Sequence, residues 1–574
     1  MRYPLLWILF ALLMPIGAAV GDRVGRGAAP ADHEIGFLVA APDRGFLGDE
    51  EIRDLFDAFA GKHNAALVFV TDERTRATVH AALAELKRRG ARQVVVLPLF
   101  VSEAESRFAT LKTAVAAARE LPVAWGRTFG ASYFAVEALA DRLRAMPPAK
   151  DRRLVLVGSG AADSAAAERL AGDLRRIGQH AAARLGFSSV EAVAWPEPGA
   201  ADEETLRARA QARLKETAGA VVAPLHLGKK LDSMMAFANT LRRAVTADSQ
   251  LLEEEPLTPL ALTWMRREAN RALPWRADQI GVIVAAHGSD WHWNETMRQG
   301  ARPLEARHPV EYAFSMADPP ILERAVRKLE QRGVRAIVIV RVFGLADSFE
   351  RDIERLIGRD LEARAPHLDP GTGEHDHGHG EEHDDHGHGA GPPVARIRSG
   401  AVLLSAGGLD DHGLFAQALL ERAQALSRDP ARETVILTAH GAGDDGRNEQ
   451  WLRVLESLAA QMKAKGGARF RDIRVATWRE DWPDKREPWV RQVRGWVEEA
   501  SRDGTAIVIP ARTTGAGPEA KLLAGLEFRA GTGFAPHPLF ARWLEEQVAR
   551  ALDGKGLAVP APTAQAASRH GHRH

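Results

Sequence analysis

The sequence predicts an α/β protein of tandem repeated modules, each a small parallel sheet flanked by helices, arranged as two pairs. Its 574 residues are 45% hydrophobic and 26% charged, enough for about four domains of roughly 150 residues, each with its own core. Four apolar runs resemble one another: 36–42 (GFLVAAP), 154–159 (LVLVGS), 281–287 (GVIVAAH) and 435–440 (VILTAH). Each is followed by a second run: 94–100 (VVVLPLF), 220–226 (AVVAPLH), 336–343 (AIVIVRVF) and 506–510 (AIVIP). Continuous Val/Ile runs of this length, alternating with helix-period stretches such as 321–332 before Gly333, are the pattern of parallel strands covered on both faces.

In chain order, the first element is Met1-Arg2-Tyr3 followed by an apolar run over 4–20 with small residues at Ala18 and Ala19. One basic residue, a short apolar stretch and a small-residue end fit a signal peptide over 1–20, cleaved after Ala19, and predict a secreted or periplasmic protein. The alternative is an uncleaved single N-terminal anchor, the one route by which the chain would meet a membrane. Modules are then expected over 34–148, 150–276, 278–430 and 431–554. The third carries an insertion, 374–389 (EHDHGHGEEHDDHGHG), and residues 555–574 form a Pro/Ala-rich tail ending in His570, His572 and His574. Neither segment has a core-forming pattern.

The chain has no cysteine, which excludes disulfides, thiolate zinc sites and iron–sulfur clusters. Lys plus Arg and Asp plus Glu each number 76, so no excess positive field draws the protein to nucleic acid. No glycine-rich loop ends in Lys-Ser or Lys-Thr after a strand, so no nucleotide is expected. Imidazole and carboxylate remain for chemistry.

In open parallel sheets the reactive crevice lies beyond the carboxyl ends of the strands. His287 and His440 sit there, as Ala286-His287-Gly288-Ser289 followed by Asn294-Glu295, and as Ala439-His440-Gly441-Ala442 followed by Asn448-Glu449. A neutral imidazole can take a proton or bind a divalent metal, and the glycine permits a sharp turn. His412 and His537 each precede an amphipathic stretch, 416–425 and 541–552, where a helix N-terminus would hold them neutral or use them as caps. The insertion supplies His375, His377, His379, His383, His386 and His388 among Asp376, Asp384 and Asp385, a composition suited to loose metal capture.

The order strand-Ala-His-Gly-Ser with a following Asn-Glu, then 314–321 (FSMADPPI), 338–343 (VIVRVF) and His412-Gly-Leu-Phe resembles the sirohydrochlorin cobaltochelatases and their ferrochelatase-like relatives, the class II chelatases. The likeness runs through the chain after the signal segment as two tandem pairs and is strongest in modules three and four. It implies ATP-independent insertion of a divalent metal, cobalt first and nickel or ferrous iron as alternatives, into a tetrapyrrole such as sirohydrochlorin. His287 and His440 are expected as proton acceptor and metal ligand, with His412 and His537 as further ligands. Ser289, Asn294, Asp318 and Asn448 are expected against the macrocycle, and Glu480 or Asp481 as a nearby acid. The pattern is broken at Pro42 and Ser159, which stand where the first histidine is expected, and at Ser132 and Thr258, which stand at the module ends. The further histidine usual after the second run is replaced by Ser348 or Phe349 in module three, while His226 lies close to that site in module two. Modules one and two are therefore expected to be a degenerate copy. The alternative from another class is an exported, non-catalytic metal- or tetrapyrrole-binding protein.

Overall fold

The computed structural model describes residues 32–149, 151–227, 237–253, 259–362 and 395–553. The expected signal segment 1–20, the insertion 374–389, the tail 555–574 and Thr258 lie outside the described residues.

Among the described residues, four four-stranded sheets follow one another along the chain. The first contains β1 (Ile35–Pro42), β2 (Ala65–Val70), β3 (Gln93–Pro98) and β4 (Val123–Trp125); the second contains β5 (Arg153–Ala161), β6 (Ser189–Pro196), β7 (Val221–Pro224) and β8 (Gln250–Leu251). The third contains β9 (Ile280–Ala286), β10 (Val310–Phe314), β11 (Ala336–Val342) and β12 (Val402–Gly407); the fourth contains β13 (Glu433–Ala439), β14 (Asp472–Thr477), β15 (Thr505–Pro510) and β16 (Arg529–Ala530). Every pairing within the sheets is parallel, and each sheet places its strands in the order second, first, third, fourth. The chain thus leaves the first strand to one side and returns on the other, and the carboxyl ends of the first and third strands flank the point where the order reverses. That is where an open α/β sheet forms a crevice.

The apolar runs read from sequence are the first and third strands of each sheet. β1, β9 and β13 are buried at every position, because helices cover both faces. The stretch 321–332 is a helix from Pro319 to Gln331 that closes with Gly333 at φ 78°. The two stretches after His412 and His537 begin at the next residue and run over Gly413–Leu426 and Pro538–Asp553.

The sheets are grouped in pairs by shared cores. Phe37 and Val39 share one apolar cluster with Leu154, Leu156 and Trp264. Val282 and Val284 share another with Val435, Leu437 and Trp543. Each pair forms one half of the molecule. The halves meet largely through polar contacts: Tyr133 Oη donates to the Ile397 carbonyl at 2.7 Å, Arg267 Nε donates to the Ser399 carbonyl at 2.9 Å, and Arg396 pairs with the fully buried Glu137 at 3.1 Å.

Candidate functional site: a histidine turn used twice

β9 ends at Ala286 and β13 at Ala439, and the next residues are His287-Gly288 and His440-Gly441. Gly288 and Gly441 adopt φ of 78° and 79°, a conformation that costs any side-chain-bearing residue. There is no room for one either: a Cβ on Gly288 would lie 2.7 Å from Phe314 Cβ, and one on Gly441 would lie 2.8 Å from both Asn448 Oδ1 and Thr477 Cβ. The turn folds each imidazole back so that Nδ1 lies 2.6 Å (His287) and 2.9 Å (His440) from the carbonyl of its own glycine. A carbonyl only accepts, so Nδ1 carries the proton and Nε2 points outward. His287 is exposed and His440 half-buried.

Asn294 and Asn448 have the same task in both copies. Asn294 Oδ1 accepts from Ser289 N at 3.1 Å, and Asn448 Oδ1 accepts from Ala442 N at 3.3 Å. Their amide oxygens pin the histidine loop instead of reaching toward a ring, and Asn448 is buried. Asp290 and Asp444 cap the helices that follow, at 2.8 and 2.7 Å. Parallel pairing sets Phe314 beside Ala286 and Thr477 beside Ala439, so Asp318 and Asp481, each four residues further on, are counterparts. Asp318 is exposed at the start of helix Pro319–Gln331. Asp481 Oδ2 lies 3.0 Å from His440 Nε2. Both nitrogens of His440 therefore face oxygen acceptors, the Gly441 carbonyl and the Asp481 carboxylate. Of the two acids expected here, Asp481 is the partner; Glu480 is paired with Arg512.

His412 and His537 form a second matched set. Each caps its helix, accepting on Nδ1 from Leu414 N and Leu539 N, both at 3.2 Å. Each Nε2 faces a carboxylate on the other's helix: His412 to Glu546 at 3.6 Å, His537 to Glu421 at 3.2 Å. Burial pushes both imidazoles below their ordinary pKa, which keeps them neutral. His412 also lines a cavity of about 640 Å³ beyond β12 with Arg341, Asp410, Asp411, Gln547 and Arg550. Among the described residues, no three His, Asp or Glu side chains group as a metal-ligand set, so the four expected histidines work as two pairs of equivalent positions instead of one cluster.

The CbiX family model matches residues 47–146 and 281–425. Both regions are similar to that family over 245 of the 574 residues. A sirohydrochlorin cobaltochelatase of Sulfolobus acidocaldarius is 36% identical over 77 residues, 13% of this chain and 63% of that relative, so the chain spans less than two thirds of the relative's length. A multi-domain protein of Deinococcus radiodurans, whose solved structure is described as similar to chelatases with two additional novel domains, is 19% identical with a TM-score of 0.30, covering 47% of this chain and 55% of that one.

The CbiX regions fall in the first and third modules, whereas the sequence alone placed the likeness chiefly in the third and fourth. Module one thus matches the family model with Pro42 at the strand end where modules three and four carry His287 and His440. Its strand-end residues are engaged in ion pairs: Arg44 faces Glu105 at 3.6 Å, and Arg107 reaches across to Glu197 of module two at 2.9 Å. Glu105 is buried and accepts from Val101 N and Ser102 N at 2.8 and 3.0 Å. In the second CbiX region, the place after β11 where a histidine is usual holds a clamp. Arg447 Nη1 pairs with Asp347 at 2.7 Å and Nη2 donates to Ser348 Oγ at 3.3 Å, while Phe349 adopts φ 55°. His226, beyond β7, packs edge-on to Phe237 with centroids 5.6 Å apart.

Sequence reasoning missed two exposed apolar groups in the segments that follow β9 and β10. Trp291 is 70% exposed and Met316 45% exposed, at the carboxyl ends of β9 and β10. Phe46, four residues after Pro42 as Trp291 is four after His287, is equally exposed at 70%, so the exposed aromatic recurs in modules one and three.

Proposed function

We propose that the protein inserts a divalent metal, cobalt by preference, into a tetrapyrrole of the sirohydrochlorin type without nucleotide. The observation that carries this reading is the His440–Asp481 pair. With Nδ1–H held by the Gly441 carbonyl, Nε2 accepts a pyrrole proton and the Asp481 carboxylate, 3.0 Å away, stabilises the imidazolium that results. His287 presents the same lone pair from an exposed turn, and in the segments that follow β9 and β10 Trp291 and Met316 expose surfaces that suit the face of a flat ring. The metal enters as substrate, and imidazole is an apt transient ligand for cobalt. An extracytoplasmic site of action is part of the proposal and rests on the segment 1–20 alone.

A second reading, a tetrapyrrole- or metal-binding protein without turnover, is favoured by one observation: Ser348 and its arginine clamp stand where a second strand-end histidine is usual. Incubation with sirohydrochlorin and cobalt, followed by absorbance, separates the two. The wild-type rate is expected to exceed that of His440→Ala by about 10²-fold or more, and that of Asp481→Asn by about tenfold. Wild-type turnover no faster than the uncatalysed background, or unchanged by His440→Ala, would establish the binding protein.

A further inference from the structure

The helix Pro259–Ala272 closes the first half as Pro538–Asp553 closes the second. Each opens with proline and carries a fully buried tryptophan five residues later, Trp264 and Trp543. Counting on from the prolines sets Arg267 opposite Glu546, Glu268 opposite Gln547 and Arg271 opposite Arg550. Likewise Ser132 stands before helix Tyr133–Arg144 where His412 stands before Gly413–Leu426. The imidazole–carboxylate pair of the second half has thus become, in the first, a hydroxyl near a guanidinium.

A cavity of about 110 Å³ lies at this place, where modules one, two and three meet. Among the described residues, its charged lining is Arg127, Arg176, Arg267, Arg271, Arg359 and one carboxylate, Glu268, and the first residues of helix Tyr133–Arg144 also face it. Glu268 is bound to Arg271 at 3.0 Å, and Arg176 Nη2 donates to the Gly130 carbonyl at 2.9 Å. Arg267 is 4% exposed, is laid over the rings of Tyr133 and Phe134, and uses Nε on Ser399 O, yet its Nη2 is buried without a hydrogen-bond partner. An orphaned, charged donor is costly, and like charges this close repel. Arg271 feels both effects: burial first, then Arg127 and Arg267, lower its pKa. A helix N-terminus adds N–H groups and positive potential of the same sign. The volume equals roughly that of three or four waters, room for one tetrahedral oxyanion or one carboxylate group and too small for a macrocycle.

We infer that this cavity binds a small oxyanion, a phosphate or a carboxylate group, held by Arg267 and Arg271 at the seam between the halves. The site is separate from the histidine turns and does not depend on the protein's being a chelatase.

Isothermal titration of the full chain in chloride buffer at fixed ionic strength, with inorganic phosphate in one arm and succinate in the other, tests it. Saturable binding of at least one is expected, weakened about tenfold or more by Arg267→Met and retained by Arg550→Met, which stands in the other half where Arg271 stands here. Phosphate alone would identify a tetrahedral ligand, succinate alone a carboxylate, and both a generic oxyanion site. Should Arg267→Met fail to fold, Arg127→Met on the exposed wall takes its place under the same criterion. No saturable binding of either anion, or binding undiminished in the folded variant, overturns the inference.

Discussion

The two halves share one strand order and one set of helix starts, and at equivalent strand ends they carry different chemistry. In the second half, β9 and β13 end in His-Gly turns whose imidazoles present Nε2 to the crevice, and a carboxylate joins one of them. In the first half, the crevice is spanned by Arg44–Glu105 and Arg107–Glu197, buried or half-buried pairs that tie loops and modules together. The difference shows how one backbone serves two ends. A buried guanidinium–carboxylate pair is satisfied internally and resists opening. An imidazole backed by a carbonyl keeps one nitrogen free for a ligand or proton. The first half's strand ends are tied up in ion pairs, and those of the second half present imidazole nitrogens instead.

Breaking the turn itself should have the largest effect. Gly441→Ala would force a Cβ against Asn448, Thr477 and the Arg479 backbone at a positive φ, at a cost of about 4 kcal/mol. Asp43→Gly, at the matching turn of module one, should cost less than about 1 kcal/mol. Urea midpoints of the full chain give both values, and equal shifts would show that the turns are not differently constrained.

The next effect compares an ion-paired strand end with an imidazole-bearing one. Glu105→Ala removes the carboxylate from buried Arg44 and from two backbone amides, and is expected to cost about 3 kcal/mol. His440→Ala, half-exposed, should alter the same midpoint by less than about 1 kcal/mol while removing activity. If His440→Ala proves as destabilising as Glu105→Ala, the contrast between the halves fails.

The smallest effect probes the seam. His180, on helix Ser164–Ala182, is pushed down to about 4 by burial, helped by the charges of Arg396 and Arg176 and opposed by Asp360. The folded state keeps this imidazole neutral where the unfolded chain protonates at about 6.5. The unfolded state therefore binds more protons across that window, and stability is lost as pH falls from about 6.5 toward 4. The contribution is on the order of 2 kcal/mol. His180→Gln should flatten the stability profile between those limits, and an unchanged slope would assign the acid sensitivity to other groups.

Much of this was legible because burial on both faces writes a strand as a continuous apolar run. The first and third strands of every module, such as β9 and β11, read that way. Strands β4, β8 and β16 have two or three residues, too few for any period, and β6 alternates in burial between helices that read more strongly. His287, His440, His412 and His537 were found because repetition put like residues after like strands. Their partners were legible only in part: Glu480 or Asp481 was expected nearby and the parallel pairing of β13 with β14 decides for Asp481, whereas Glu546 meets His412 only because helices from two modules pack together. The role of the asparagines was hidden for a similar reason, since a loop's need for an acceptor appears only once the loop is folded.

The sequence by itself determined a fourfold repeated α/β chain and which positions carry imidazole, since both follow from local periodicity and from likeness between segments. The tertiary structure decided which carboxylate His440, His412 and His537 face, that one pair of modules closes its crevice with ion pairs, and that five arginines share one small cavity. Those outcomes depend on contacts between elements far apart in the chain, and no local pattern records the distance between two side chains that only packing brings together.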